Sequence, residues 1–245
     1  MNKDTFDLSV VIPLRDEEAA ITPLIDEIAG VLADRSFEVI AVDDGSKDGT
    51  DQALQALSER YPWLRILSHA HSRGQSSAVR HGVREARAPL IVTLDGDGQN
   101  PPDQIPLLLA PFERGDARLG LVQGQRAARK DNVGKRLSSR FANWLRSSLL
   151  KDGVRDSGCG LKAFRREAYL ELPFFDHIHR FMPAMMLREH WRVETVDVTH
   201  RPRQGGRSKY SNISRGLVGI PDLLGAAWLI RRAERLDPAK NSVEE

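Results

Sequence analysis

Leu90-Ile-Val-Thr-Leu-Asp-Gly-Asp97 decides the architecture: a run of apolar and β-branched residues ends in two carboxylates with one glycine between them. A short run with no polar alternation reads as a strand covered on both faces, as in a parallel sheet packed between helices. Leu8-Ser-Val-Val-Ile-Pro13 and Phe37-Glu-Val-Ile-Ala-Val42 repeat the pattern, and the second also runs into carboxylates, Asp43-Asp44-Gly45-Ser46. Between these strands Ile21, Leu24, Ile25, Ile28, Val31 and Leu32 fall at helical spacing. Further helices are expected over Thr50–Arg60, Gly74–Arg87 and Gln104–Arg114, and further strands over Leu64–Leu67 and Leu119–Gln123. Strands alternating with helices imply right-handed crossovers and an α/β fold with a mainly parallel sheet. In such sheets a polar ligand sits beyond the carboxyl ends of the strands, where these acidic loops lie.

After Gly124 the pattern changes. A basic helix is expected over Asn132–Leu150, a short helix over Phe164–Leu172, a helix over Arg180–His190 and a strand over Arg192–Thr199. Arg201–Tyr210 is basic and contains glycines, hence a loop. Leu217–Ile230 reads as an apolar helix bordered by Arg215, Arg231 and Arg232. The expected division is a catalytic domain over 1–212, a C-terminal helix over 213–236 and a polar tail over 237–245.

Bulk properties narrow the function. The chain has 245 residues, of which 40% are hydrophobic, enough for one substantial core. A net charge of +2 and 6% aromatic residues give no sign of a nucleic-acid platform. Cys159 is the single cysteine, so no disulfide framework exists and a reducing, cytoplasmic setting fits. Met1–Asp7 carries no basic-then-apolar leader, and no apolar run is long enough to span a bilayer.

Asp95 and Asp97, two residues apart on a strand-end turn, can share a hard divalent cation such as Mg²⁺ or Mn²⁺, with Gln99 as a further oxygen donor. The alternative is an ordinary Asp-Gly turn. Asp44 adds a second carboxylate loop at the same sheet edge, where unneutralised charges repel; its alternative role is a helix cap.

Several segments together resemble family 2 glycosyltransferases: Val10-Val-Ile-Pro-Leu-Arg-Asp-Glu17, Val42-Asp-Asp-Gly-Ser46, Gly74-Gln-Ser-Ser-Ala-Val-Arg-His-Gly82 and Leu94-Asp-Gly-Asp-Gly-Gln-Asn-Pro-Pro102. The likeness continues through Asp156-Ser-Gly-Cys-Gly-Leu-Lys-Ala-Phe-Arg165 and Arg203-Gln-Gly-Gly-Arg-Ser-Lys-Tyr210, toward the dolichyl-phosphate mannose synthase branch and its bacterial polyprenyl-phosphate relatives. The resemblance implies a GT-A fold and inverting, metal-dependent transfer from a UDP- or GDP-sugar to a polyprenyl or dolichyl phosphate. It implies donor contacts at Pro13, Asp16, Glu17, Asp44, Asp95 and Lys209, where Asp16-Glu17 departs from the usual Asn-Glu. Asp95, Asp97 and Gln99 fall at the metal motif, and Asp95, Asp97 and Arg203 at the reacting centre. Pro13 and Glu17 also read as strand-end punctuation and a helix-start charge.

Arg126–Arg146 holds seven basic residues and one acid. A solvated face is the ordinary reading of such a run. Yet Arg136 and Arg140 share a helix face, and Arg126 directly follows a strand. Guanidinium forks suit phosphate, and the resemblance puts the lipid phosphate on Arg126, Arg136 and Ser139, with Arg140 able to replace Arg136. Arg203, Ser208 and Lys209 form a basic loop that closes over the donor or is simply mobile surface; in the resemblance Ser208 joins the acceptor-phosphate residues. Asp156 shapes the acceptor side in the family and otherwise caps a helix starting at Leu161. Cys159 reads as buried filler rather than a nucleophile. His177 and His179 make a poor zinc pair and stand as neighbours of the site.

A phosphate monoester is already ionised, so no Ser-His-Asp set is needed. The task is to bring two anions together, by a metal on the donor side and cations on the acceptor side. The 213–236 helix suits attachment to a membrane surface, packing on the core, or contact with a second subunit in a homo-oligomer. A saccharide acceptor, which would want a carboxylate base, and a catalytically silent nucleotide-sugar-binding protein are the competing readings.

Overall fold

β1 (Leu8–Leu14) is buried along its whole length because it lies in the middle of a sheet covered on both faces. It pairs in parallel with β2 (Phe37–Asp43) on one side and β4 (Leu90–Thr93) on the other. β3 (Leu64–Ser68) extends the sheet beyond β2. On the far side of β4 come β6 (Lys162–Arg165), β5 (Leu119–Arg126) and β7 (Arg192–Val198), giving the order β3-β2-β1-β4-β6-β5-β7. β6 runs antiparallel to both of its neighbours, and every other pairing is parallel. The computed structural model describes residues 6–126, 149–202 and 212–233, the last helix in side-chain detail from Ile220 onward.

Period-two alternation splits the strands between two cores. Val10, Ile12, Val39, Ala41, Val92 and Ala163 face one layer, with α1 (Glu18–Val31), α2 (Thr50–Arg60) and α4 (Ile105–Leu109). Val11, Ile40, Val42, Ile91 and Phe164 face the other, with α3 (Gln75–Glu85), α5 (Arg166–Glu171), α6 (Met182–Arg188) and part of α7 (Asn212–Arg231). Each fully buried isoleucine or leucine contributes roughly 1.5–3 kcal/mol, so these stripes dominate the fold's stability.

Several local expectations are corrected. Phe164–Leu172 is not one short helix: Lys162–Arg165 is a strand, and the helix starts at Arg166. Ala163 and Phe164 point into opposite cores, which a strand allows and a helical turn does not. Consequently Asp156 caps no helix at Leu161. The stretch expected as one helix over Gln104–Arg114 breaks into a 3₁₀ turn at Pro102–Gln104, the short α4 and a 3₁₀ turn at Phe112–Arg114. Pro106 and Pro111 each remove a backbone donor there. The helix expected from Arg180 begins instead at Met182, after a 3₁₀ turn at Ile178–Arg180.

α7 packs Leu223 and Ala226 into the second core. Its opposite face leaves Ile220, Leu224 and Trp228 more than half exposed, in steps of four. Among the described residues no helix is long and apolar enough to cross a membrane. The expected basic helix over 132–150, with Arg136, Ser139 and Arg140, lies largely outside the described residues. So do Arg203, Ser208, Lys209 and the 237–245 tail.

Candidate active site

The carboxyl ends of β1, β2 and β4 bring Pro13, Asp44 and Asp95 to one edge of the sheet. Pro13 stands past the last β1–β4 partner, Val11 opposite Thr93, so its missing N–H disturbs no ladder on that side. Asp16, at φ +55°, accepts the Lys47 N–H through Oδ1 at 2.7 Å, and its own N–H donates to Ser46 Oγ. The Glu17 N–H donates to Thr50 Oγ1. Asp16 and Glu17 thereby stitch the end of β1 to the loop after β2.

Asp44 is buried and holds four donors. His69 Nδ1 at 2.7 Å and the Arg73 N–H at 2.8 Å reach Oδ1; Ser72 Oγ at 2.6 Å and the Gly74 N–H at 2.9 Å reach Oδ2. Burial alone would raise this carboxyl, but the bonds from Arg73, His69, Ser72 and Gly74 outweigh it and hold the group below its ordinary range. With all four acceptor positions engaged, Asp44 fixes the 69–74 loop that leads into α3. His69 Nε2 also lies 3.0 Å from His81 Nδ1, which extends the chain of contacts onto α3.

Asp95 lies where β4 leaves the sheet. Gln75 Nε2, from the first residue of α3, donates to its Oδ1 at 2.8 Å. Burial first, and then the charge of Asp97, push the Asp95 carboxyl above the usual carboxylate range, against the pull of Lys162, Asn100 and Arg126. Asp97 Oδ1 accepts the Gln99 N–H at 3.1 Å, and Gly98 takes φ +70° to close that turn. Two neighbouring carboxylates in a half-enclosed place are electrostatically disfavoured unless a cation lies between them. Their hard oxygens, with Gln99 beside them, fit Mg²⁺ or Mn²⁺. Among the described residues no group of three His, Cys, Asp or Glu side chains forms a complete metal cage. Such a pair suits an ion whose remaining positions go to water and ligand oxygens.

Arg126, the last residue of β5, forms a bidentate pair with Asp156: Nε to Oδ2 at 2.5 Å and an Nη to Oδ1 at 2.8 Å. That pair raises the guanidinium pKa, and Asp95 contributes to the same field. Arg126 thus shares an electrostatic field with the metal-motif carboxylate and is held in orientation by Asp156. Arg201 docks the next segment on the same turn, with its N–H on the Gln99 carbonyl at 3.0 Å and its Nε on the Gly98 carbonyl at 2.6 Å. The described chain thus brings Arg201 to the Gly98–Gln99 turn, and Arg203 lies outside the described residues.

Two residues of this site do not stand out in the sequence. Lys162 is buried within β6, and its ammonium donates to the carbonyls of Ser157 and Cys159, closing the 157–162 turn. Burial lowers its pKa, against the charges of Cys159, Asp95 and Asp156. Gln75 is the other. The signal was present in both quoted motifs, but a lysine between Leu and Ala gives no hint that its tip folds inward. Cys159 is buried, with its thiol pushed up by that burial, as filler should be. His177 pairs with Asp222 of α7 while His179 meets Ser76 of α3.

A mixed α/β sheet with this strand order, carrying acidic loops at the ends of β2 and β4, is the GT-A architecture of glycosyltransferases. Residues 9–172 match Glycosyl transferase family 2. The dodecaprenyl-phosphate galacturonate synthase of Rhizobium johnstonii is 34% identical over 237 residues, covering 94% of this chain and 69% of that protein. The undecaprenyl-phosphate 4-deoxy-4-formamido-L-arabinose transferase of Yersinia pestis is 33% identical over 215 residues, 86% of this chain and 64% of the relative. Among solved structures, glucosyl-3-phosphoglycerate synthase from Mycobacterium tuberculosis with Mn²⁺, UDP and glucosyl-3-phosphoglycerate superposes with a TM-score of 0.69. It is 22% identical, over 95% of this chain and 82% of that one. The chain belongs to glycosyl transferase family 2 and is a glycosyltransferase.

Proposed function

We propose that the chain transfers a sugar from a UDP- or GDP-sugar to a polyprenyl or dolichyl phosphate, with inversion, at the cytoplasmic surface of a membrane. The observation that carries the acceptor class is the Arg126–Asp156 pair. A hydroxyl acceptor needs a carboxylate free to take its proton. Here the carboxylate on the β5 side is committed to a guanidinium, and the pair offers remaining N–H groups to an anion. An ionised phosphate needs only that anchoring. The relatives' names, which specify dodecaprenyl and undecaprenyl phosphate, support the same class.

Asp95 and Asp97, with Gln99, would hold Mg²⁺ or Mn²⁺, which when bound offsets the charge developing on the leaving nucleoside diphosphate. Asp16, Glu17, Pro13 and Asp44 shape the nucleoside end, and Arg126 orients the acceptor phosphate for in-line attack. Arg136, Ser139, Arg140, Arg203, Ser208 and Lys209 complete the cationic side in this reading. Catalysis is then mainly positioning and preorganised charge.

The test is turnover of a UDP- and GDP-sugar panel with Mn²⁺ against three acceptors: a short polyprenyl phosphate, the same polyprenol without phosphate, and an oligosaccharide. Product with the phosphate alone, abolished by EDTA, is expected. Transfer to the oligosaccharide instead would favour the saccharide-acceptor reading, and donor binding without any turnover the silent one.

Membrane attachment rests on Ile220, Leu224 and Trp228 along α7, with Arg231 and Arg232 at the end of the stripe and Arg232 over the Trp228 ring. An apolar stripe with a tryptophan and cationic ends matches an in-plane interfacial helix. Leu224→Glu is expected to reduce co-sedimentation with anionic phosphatidylglycerol vesicles by about tenfold, while its Tm and its turnover of a water-soluble short acceptor stay at wild-type values. Undiminished vesicle binding would assign the stripe to another contact.

A further inference from the structure

The chain leaving β7 ties the two halves of the site together. Val198, the last residue of β7, is the register partner of Arg126 in β5, and Arg201 follows it on the Gly98–Gln99 turn. Three residues span at most about 11 Å, so Arg126 and the metal-motif turn are fastened to one short segment. The Thr199 N–H donates to Gln104 Oε1 at 3.2 Å, the Arg201 N–H to the Gln99 carbonyl at 3.0 Å, and Arg201 Nε to the Gly98 carbonyl at 2.6 Å. From the other side, an Nη of Arg201 lies 3.0 Å from a carboxylate oxygen of Glu27 in α1. Neither Arg201 nor Glu27 has a part in the donor and acceptor assignments.

One peptide group receives the force of this grip. A peptide is rigid and planar, with its C=O and N–H pointing opposite ways. Arg201 Nε holds the C=O of the Gly98–Gln99 peptide, and the N–H of that same peptide donates to Asp97 Oδ1 at 3.1 Å. Gly98, at φ +70°, puts little steric limit on how the plane is turned. Its orientation is therefore set by what it bonds to, and Asp97 is held through it. A cation such as Mg²⁺ demands near-octahedral oxygen positions. Partners that orient metal ligands from outside the ligand shell matter to the metal almost as much as the ligands do.

We infer that Arg201 is a positioning residue: braced by Glu27, it fixes the Gly98–Gln99 peptide and through it the Asp97 carboxylate that faces the cation. The inference rests on the metal reading of Asp95, Asp97 and Gln99 above. If Arg201 only stapled the end of β7 to the fold, its loss would lower Tm and leave cation affinity alone. If it met the donor diphosphate directly, its loss would leave the metal-free, nucleotide-free turn as it was.

Two measurements separate these cases: amide hydrogen exchange at Gln99 in the protein free of metal and nucleotide, and Mn²⁺ titration read from the paramagnetic resonance of the free ion, with and without UDP or GDP. Arg201→Ala keeps its own backbone N–H for Gln99 but loses the side-chain bond to Gly98. It is expected to exchange the Gln99 amide faster than wild type while the β5 and β7 amides keep their protection, and to bind Mn²⁺ about tenfold more weakly. Arg201→Lys, which keeps a charge for Glu27 and has no Nε–H in the same place, should recover Tm but not Mn²⁺ affinity. Glu27→Gln leaves the arginine without its ionic brace; it should show the same changes in smaller measure and carries the test alone if the Arg201 variants misfold. Arg35→Ala, which removes the surface ion pair with Glu113, is the control and should change neither readout. Wild-type Gln99 exchange or wild-type Mn²⁺ affinity in the folded variants overturns the inference and leaves the metal assignment standing. Wild-type protein that takes up no Mn²⁺, with nucleotide or without, overturns the metal assignment itself.

Discussion

Asp97→Asn is expected to lower sugar transfer by at least about a thousandfold, the scale set by loss of a preorganised charge at the reacting centre, while leaving the metal-free protein as stable as wild type or more so. The two effects have one cause. The charge of Asp97 is among the forces that push the Asp95 carboxyl upward, second only to burial. A carboxyl raised in the folded state favours folding below its unfolded pKa, and that advantage is lost as pH climbs through the raised value. At neutral pH, without metal, the Asp95–Asp97 pair therefore works against the fold. Asparagine removes one charge yet keeps an oxygen for the Gln99 N–H, so the turn survives and the repulsion does not. Thermal melts with EDTA and with Mn²⁺ check this. Wild type should gain stability from Mn²⁺ and the variant should not. A variant that still responds to Mn²⁺ and retains more than a tenth of wild-type turnover removes Asp97 from the metal site.

How far these features can be read from sequence depends on whether their cause is local. β1, β2 and β4 are legible because a strand covered on both faces must be apolar throughout, and Val10-Val11-Ile12 or Ile91-Val92 satisfies that without reference to any partner. β6 is not legible. Lys162-Ala-Phe-Arg165 has no intrinsic strand character and becomes one only because β4 and β5 lie on either side of it. The same division runs through the site. Asp95 and Asp97 announce themselves as carboxylates directly after an apolar run. The partners that give the site its geometry are far apart in the chain: Arg126 and Asp156 by 30 residues, Ser76 and His179 by 103. No spacing rule links such residues. The tertiary fold makes Asp156 a brace for an arginine rather than a helix cap.

Gly160→Ala is the second substitution expected to silence the enzyme, through a carboxylate it does not chemically alter. A Cβ on Gly160 would stand 2.2–2.5 Å from the three carboxylate atoms of Asp95, closer than any van der Waals contact allows. One of the two groups must move. The backbone at Gly160 is pinned, since its carbonyl accepts the Thr93 hydroxyl at 2.8 Å and β6 begins two residues later, between β4 and β5. Asp95 is the end of a short side chain on a loop and yields more easily. The added methyl should thus cost about 1–3 kcal/mol of stability, the ordinary scale of overpacking, leaving a folded protein in which the metal-motif oxygen is displaced. Displacements of that kind cost on the order of 10²-fold in rate. Transfer should fall by that factor or more, and the Mn²⁺ concentration for half-maximal activity should rise. Gly30→Ala is the matched control. It sits in α1 with nothing within 4 Å of the new Cβ, and helix propensity alone predicts a gain of about 0.5–1 kcal/mol with unchanged turnover. Wild-type activity and Mn²⁺ response in a folded Gly160→Ala variant would mean that Asp95 can leave its observed position without consequence. The metal would then be held elsewhere.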